Sequence, residues 1–239
     1  MECLAIRPIK TRIFKANDNL AEFIIQSVPS DLVKEKMILA ITSKIVSLAE
    51  NCLVPKNSIS KKDLVIKEAD MFLGEIGYGC FLTIKEGLLI PSAGIDESNS
   101  ITGDYILYPK SPFESAKNIW NHLKNVWQLK QLGVLITDSH TTPLRKGVTG
   151  ICLAYWGFKG LKEMVGSEDL FGRKLQMTNI NYADGLAASA VLLMGEGSES
   201  QPLAVLQGAP VSFASQTNPK ELTIRPEEDL YSPLFKRGL

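Results

Sequence analysis

An α/β or α+β fold is predicted by three features of this sequence. Strand-like and helix-like segments alternate along the chain, no repeat recurs at a period of twenty to fifty residues, and no obvious linker or low-complexity stretch divides it. At 239 residues, one or two compact units with a sizeable core are expected.

The elements follow in order. NDNLAEFIIQSV opens on a capping residue, and Leu20, Phe23, Ile24 and Val28 recur at helical spacing. MILAIT (37–42) is a short apolar strand, with SKIVSLAE after it. LTIKEGLLI (82–90) reads as a hairpin turning at Glu86-Gly87, and DYILYP as another short strand. SPFESAKNIWNHLKNVW is the clearest helix. Ser111 is its N-cap, Pro112 suits the first helical position, and Glu114 would complete a capping box. Phe113, Ala116, Trp120, Leu123 and Trp127 form one apolar stripe, which makes both tryptophans core and leaves His122 on the surface. LGVLITD (132–138) is a buried strand ending in aspartate; GVTGICLAYWG and LQMTNI are further strands. ADGLAASAVLLM is a small-residue helix that must pack closely against something. GEGSESQ is a polar turn, LAVLQG a last strand, and the tail from Asn218 reads as irregular.

Lys+Arg and Asp+Glu both number 26, so no basic footprint for nucleic acid or a membrane surface exists. The four cysteines form no CxxC pair, which argues against zinc and for reduced thiols in a cytoplasmic protein. No signal peptide is visible, and the apolar runs are too short to span a bilayer. GxxxxGK[ST], GxGxxG and GxSxG are all missing.

Three places put oxygen ligands just beyond a strand or helix: Asp96 to Asn99 in GIDESN, Asp138-Ser139 in ITDSHTT, and Glu196 with Glu199 in MGEGSES. Mg²⁺ and Mn²⁺ favour such ligands. Each alone is also explained as a turn, a cap or a solvated loop. Arg145 and Lys146, before Gly147 and Gly150, can hold an anion or simply make a tight turn.

Together, AGIDESN, VLITDSHTTPLRKGVTG, EDLFGRKLQMT and YADGLAASAVLLMGEG resemble the coenzyme F420-0:γ-glutamyl ligase family, most closely over residues 132–208. IRPIK, NDNLAEFI and ILAITSKIVSLAE fit more loosely, and residues 51–87 are a weak patch. The resemblance implies a single domain over 1–239, a mixed α/β fold of mixed sheets with flanking helices, and an intertwined homodimer. It implies joining the amino group of L-glutamate to a carboxylate acceptor such as coenzyme F420-0. GTP drives this through an acyl phosphate, with two Mn²⁺ or Mg²⁺ ions. On that pattern Asp96 and Asp138 bind one metal; Ser139, where the family usually has threonine, and Glu196 bind the second. Asn99, Ser43 and Lys44 lie at the nucleotide, and Met194, Gly195, Gly197, Ser198, Glu199, Ser200 and Gln201 form the phosphate-side loop. Asp138 and Arg145 are the candidate catalytic pair.

The chain departs from the pattern at Leu48 and Thr142, which replace a lysine and an arginine, at His140-Thr141 and at Gly185. A leucine cannot pair with phosphate. The expectation is therefore a divergent ligase with a different acceptor or donor. The alternative is a non-catalytic or retuned nucleotide- or metabolite-binding protein; a structural or interaction protein ranks last.

Overall fold

The computed structural model describes residues 3–16, 18–100 and 103–235. In chain order its elements are β1 (Ala5–Ile9), α1 (Leu20–Ser27), β2 (Met37–Thr42), α2 (Ser43–Ala49), β3 (Leu53–Val54), α3 (Lys61–Glu68), β4 (Met71–Ile76), β5 (Cys80–Lys85), β6 (Leu88–Pro91), β7 (Tyr105–Ile106), α4 (Pro112–Trp127), β8 (Leu132–Thr141), β9 (Val148–Trp156), β10 (Leu161–Glu163), β11 (Asn179–Asn181), α5 (Tyr182–Met194), β12 (Leu203–Gln207) and α6 (Ser232–Phe235). This is a mixed α/β architecture.

The central sheet has the order β1-β12-β2-β8-β9. β2 and β8 pair in parallel, and its other neighbours are antiparallel. Alternation along these apolar strands fills both faces. Met37, Leu39, Ile41, Val134, Ile136, Leu203 and Val205 meet α1, α2 and α4 on one side. Ile38, Ala40, Leu135, Ala204 and Leu206 meet the small side chains of α5 on the other. Burial on both faces is why these segments read as continuous apolar runs. The closest approach is at Gly150, where a Cβ would lie 2.4 Å from the Ala187 carbonyl oxygen. Only glycine lets α5 sit this near β9.

A smaller sheet, β4-β5-β6, covers a second cluster of Leu64, Val65, Phe81, Ala93, Ile95 and Tyr105. The expected β5–β6 hairpin turns at Glu86 (φ 53°) and Gly87 (φ 75°), two positive-φ residues that match the right-handed strand twist.

Two local expectations are corrected. Ser111 makes no side-chain capping bond, and Glu114 faces Lys117 at 3.6 Å instead. Glu50 serves that end of α4 from a distance, accepting the Lys110 N–H at 3.0 Å and the Ser115 hydroxyl. A half-buried tertiary partner thus replaces the local box. The strand LQMTNI shrinks to Asn179–Asn181, paired with β10. Leu175 instead exchanges backbone bonds with Gly166 and Ser167 inside an exposed arm, where no core rewards strand alternation. Trp120 is buried and donates to the Leu132 carbonyl, Trp127 packs partly against the core, and His122 is exposed. Among the described residues, no helix is long and apolar enough to cross a membrane.

Candidate functional site

β2 ends opposite Thr137, whereas β8 continues to Thr141 paired only with β9. Asp138 therefore has open space where β2 would have been, at the carboxyl end of the parallel pair. Open α/β sheets offer their binding crevices at such ends. Successive strand residues point to opposite faces. Asp138 turns toward α2, where Ser43 Oγ lies 3.3 Å from its Oδ1, and Tyr108 donates to its Oδ2 at 2.6 Å. Ser139 turns toward the end of α5 and favours the charged form of Glu196. A bulge between Ile136 and Thr137 in the β8–β9 register adjoins the site.

Asp96 reaches the same place from the segment after β6. Its backbone bridges to Ile106, which fixes the chain. Its side chain accepts from Ser98 N–H at 2.7 Å and Ser98 Oγ–H at 2.9 Å, and pairs with Lys44 Nζ at 2.6 Å. Glu97 is clamped by Lys56 (2.8 Å) and Lys61 (2.6 Å), which holds the turn from its other side.

Of these groups, Lys44, Asp96, Ser98, Asp138, Ser139 and Glu196 line one cleft of about 840 Å³. Its polar lining includes Lys44, Asp96, Asn99, Asp138, Ser139 and Glu196, and its apolar lining Ile13, Phe14, Ile45, Leu48, Ile90 and Pro91. The loop from Met194 to Gln201 forms the rim. Gly195 (φ 82°) ends α5, and its missing Cβ leaves room for the Glu199 carboxylate, which accepts the Gly197 N–H at 2.8 Å. Ser200 accepts the Thr11 N–H at 2.9 Å and ties the loop to the N-terminal segment.

The carboxylates differ electrostatically. Burial pushes Asp138 up to about 6, and the Asp96 charge acts in the same direction, against the Tyr108, Ser139 and Ser43 hydrogen bonds. Burial also works to raise Asp96, but Lys44 and Ser98 outweigh it and hold the carboxyl below its ordinary value. Glu196 is raised by burial, although Ser139 and Lys44 oppose this. Tyr108 is pushed well up by burial and the facing Asp138 charge, so it stays a donor.

Among the described residues, no three His, Cys, Asp or Glu side chains converge tightly enough to hold an ion alone. The charge of Asp96 is felt at Asp138, and Ser139 favours the charged form of Glu196. Hard oxygen donors, few per ion, fit Mg²⁺ or Mn²⁺, which complete their shells with water and phosphate oxygens.

The sequence-derived candidates Ser43, Lys44, Asn99, Met194, Gly195, Gly197, Ser198, Glu199, Ser200 and Gln201 thus adjoin the cleft with the proposed metal positions. Arg145 does not. It lies exposed in the β8–β9 turn, its N–H bonded to the Thr142 carbonyl. Sequence reasoning missed Tyr108 and residues 11–14, and gave Ser98 no role of its own within the Asp96–Asn99 turn. Ser98 lies inside GIDESN, where its spacing two residues after Asp96 is a turn signal. Nothing in DYILYP marks Tyr108 as the partner of a carboxylate thirty residues later.

The family model F420-0:Gamma-glutamyl ligase matches residues 8–208. Curated relatives named coenzyme F420:L-glutamate ligase are similar over most of their length. The one from Methanococcus maripaludis is 34% identical over 217 residues, covering 83% of this chain and 86% of its own. That from Methanocaldococcus jannaschii is 32% identical over 238 residues (92% and 93%), and that from Archaeoglobus fulgidus 30% over 244 (95% and 95%).

Proposed function

Since this chain belongs to the F420-0:gamma-glutamyl ligase family and is a ligase by that membership, we propose that it adds L-glutamate to a carboxylate acceptor such as coenzyme F420-0, using GTP and two Mn²⁺ or Mg²⁺ ions. The observation that carries this reading is the convergence of Asp96, Asp138, Ser139 and Glu196 on one cleft, beside Lys44 and the 194–201 loop.

Asp96 and Asp138 would hold one ion, Ser139 and Glu196 the other. When bound, the ions neutralise phosphate oxygens during transfer. Tyr108 and Ser43 fix the orientation of Asp138, and Ser98 that of Asp96. The acceptor carboxylate takes the terminal phosphoryl group, releasing GDP and forming an acyl phosphate. The glutamate amine then attacks the acyl carbon, phosphate leaves, and the amine gives up a proton as the amide forms. The apolar side chains of Phe14, Ile45 and Leu48 in the cleft lining would limit water at the acyl phosphate.

The protein would work in the cytoplasm as a homodimer. The arm between β10 and β11, with Leu170 98% and Phe171 81% exposed, supports a second copy as its cover. The test is phosphate release from GTP, measured with and without L-glutamate and F420-0, in wild type and Asp138→Ala. Release that needs both co-substrates and is lost in the variant supports the ligase. Leu48 on the cleft wall favours the second reading, a retuned nucleotide- or metabolite-binding protein. Mn²⁺-dependent thermal stabilisation by a nucleotide, with no glutamate-dependent release, would select it.

A further inference from the structure

Lys44 occupies an unusual position for a cation. It lies in the first turn of α2, the end where a positive charge opposes the helix dipole, and no acidic residue of that turn compensates it. Its partner is tertiary. Nζ sits 2.6 Å from Asp96 Oδ2 and 3.1 Å from Ser98 Oγ, and its charge is also felt at Glu196. Asp96 Oδ1 is taken by the N–H and hydroxyl of Ser98. Oδ2 is thus the oxygen that a metal would use, and Lys44 is on it.

We infer that Lys44 and a divalent cation compete for Asp96 Oδ2, so that cation binding turns the ammonium away from Asp96 and into the cleft, where it can meet an anionic ligand. An ammonium and a divalent ion repel one another too strongly to share one carboxylate oxygen at contact distance. Lys44 has a flexible four-carbon stem, its side chain is 21% exposed, and it borders the cleft, so the released ammonium has room to turn. The 194–201 rim and Asn99 line the same cleft. Lys44 is then a positioning residue that couples metal binding to nucleotide binding. This rests on the metal assignment made under the proposed function and adds to it a direction of coupling.

The test is Mn²⁺ binding without nucleotide, read from the spectrum of free Mn²⁺, for wild type, Lys44→Met, Lys44→Gln and Lys44→Arg. Thermal unfolding shows that each variant is folded; Gln keeps a hydrogen bond to Asp96 if Met proves unstable. Loss of the competing charge should tighten Mn²⁺ binding about tenfold in the Met and Gln variants and leave Arg near wild type. The same neutral variants should weaken GDP binding measured with saturating Mn²⁺. A lysine that only braces the fold would give weaker or unchanged Mn²⁺ binding on neutralisation, and that result overturns the inference. If wild type binds Mn²⁺ with GDP but the neutral variants gain nothing, only the role of Lys44 fails. If no variant binds Mn²⁺ with or without GDP, the metal-dependent reading fails with it.

Discussion

The Tyr108 hydroxyl donates to Asp138 Oδ2 at 2.6 Å, joining the segment after β7 to the projecting end of β8. Tyr108 is 7% exposed, and its ring fills the space that a Cβ on Gly94 would enter. Its bond to the central carboxylate is therefore held by packing on both sides. In Tyr108→Phe the carboxylate loses its shortest partner while the ring stays. Urea unfolding should show a loss of about 1–3 kcal/mol, the range for a buried polar group left unpaired. Mn²⁺ affinity should also fall at neutral pH, because the Tyr108 bond opposes the upward shift of Asp138. Unchanged stability and affinity would show that the bond does not hold the site.

The pH dependence has a definite sign. The folded pKa of Asp138, about 6, lies above its ordinary 3.8. The folded state therefore binds the proton more tightly, and ionisation destabilises the protein without added metal. The effect is absent below about pH 4 and complete above about pH 6, where it amounts to about 2–3 kcal/mol. Urea titrations of wild type and Asp138→Asn should diverge across that window, with wild type losing ground as pH rises. Below about pH 6, protons should also compete with Mn²⁺. Parallel curves for the two proteins would sink this expectation.

Leu48 is half-buried on the cleft wall and packs against the core. Leu48→Lys places an ammonium there, its stem retaining much of the apolar contact. Calorimetry with GDP and Mn²⁺ should show affinity rising about tenfold, the scale of one charge-assisted phosphate contact. No gain would mean that this wall faces the acceptor rather than the nucleotide.

Gly150→Ala tests how the α5 end of the site is held. The added Cβ meets the Ala187 carbonyl at 2.4 Å and Val191 at 2.7 Å, and backbone cannot move aside cheaply. Overpacking of this kind costs about 1–3 kcal/mol or more. Because α5 carries the chain to Glu196, Mn²⁺ binding should weaken together with the melting temperature. A stability loss with intact Mn²⁺ affinity would show that the 194–201 loop is positioned independently of α5.

The main elements were legible because their causes are local. The apolar run Met37–Thr42, the Glu86-Gly87 turn and the stripe through Ala116, Trp120 and Leu123 each carry their period or turn chemistry in neighbouring residues. The same holds for the three oxygen-bearing turns, whose candidates were readable one at a time. Where local rules failed, a distant partner or a missing one decided. Glu50 took over the end of α4 from sixty residues away, and the segment before Asn179 found no core to pair with.

What the sequence by itself determined is the mixed α/β class, the main helices and apolar strands outside residues 51–81, and the family motifs, all of which follow from spacing within a few residues. Only the tertiary structure decided that Asp96, Asp138, Ser139 and Glu196 share one cleft, that Tyr108 and Ser43 hold Asp138, and that Lys44 sits on Asp96. It also left Arg145 outside that cleft. The reason is physical. Convergence depends on the β2–β8 register, on where β2 stops, and on the bridge at Ile106, and each is fixed by burial between segments far apart in the chain.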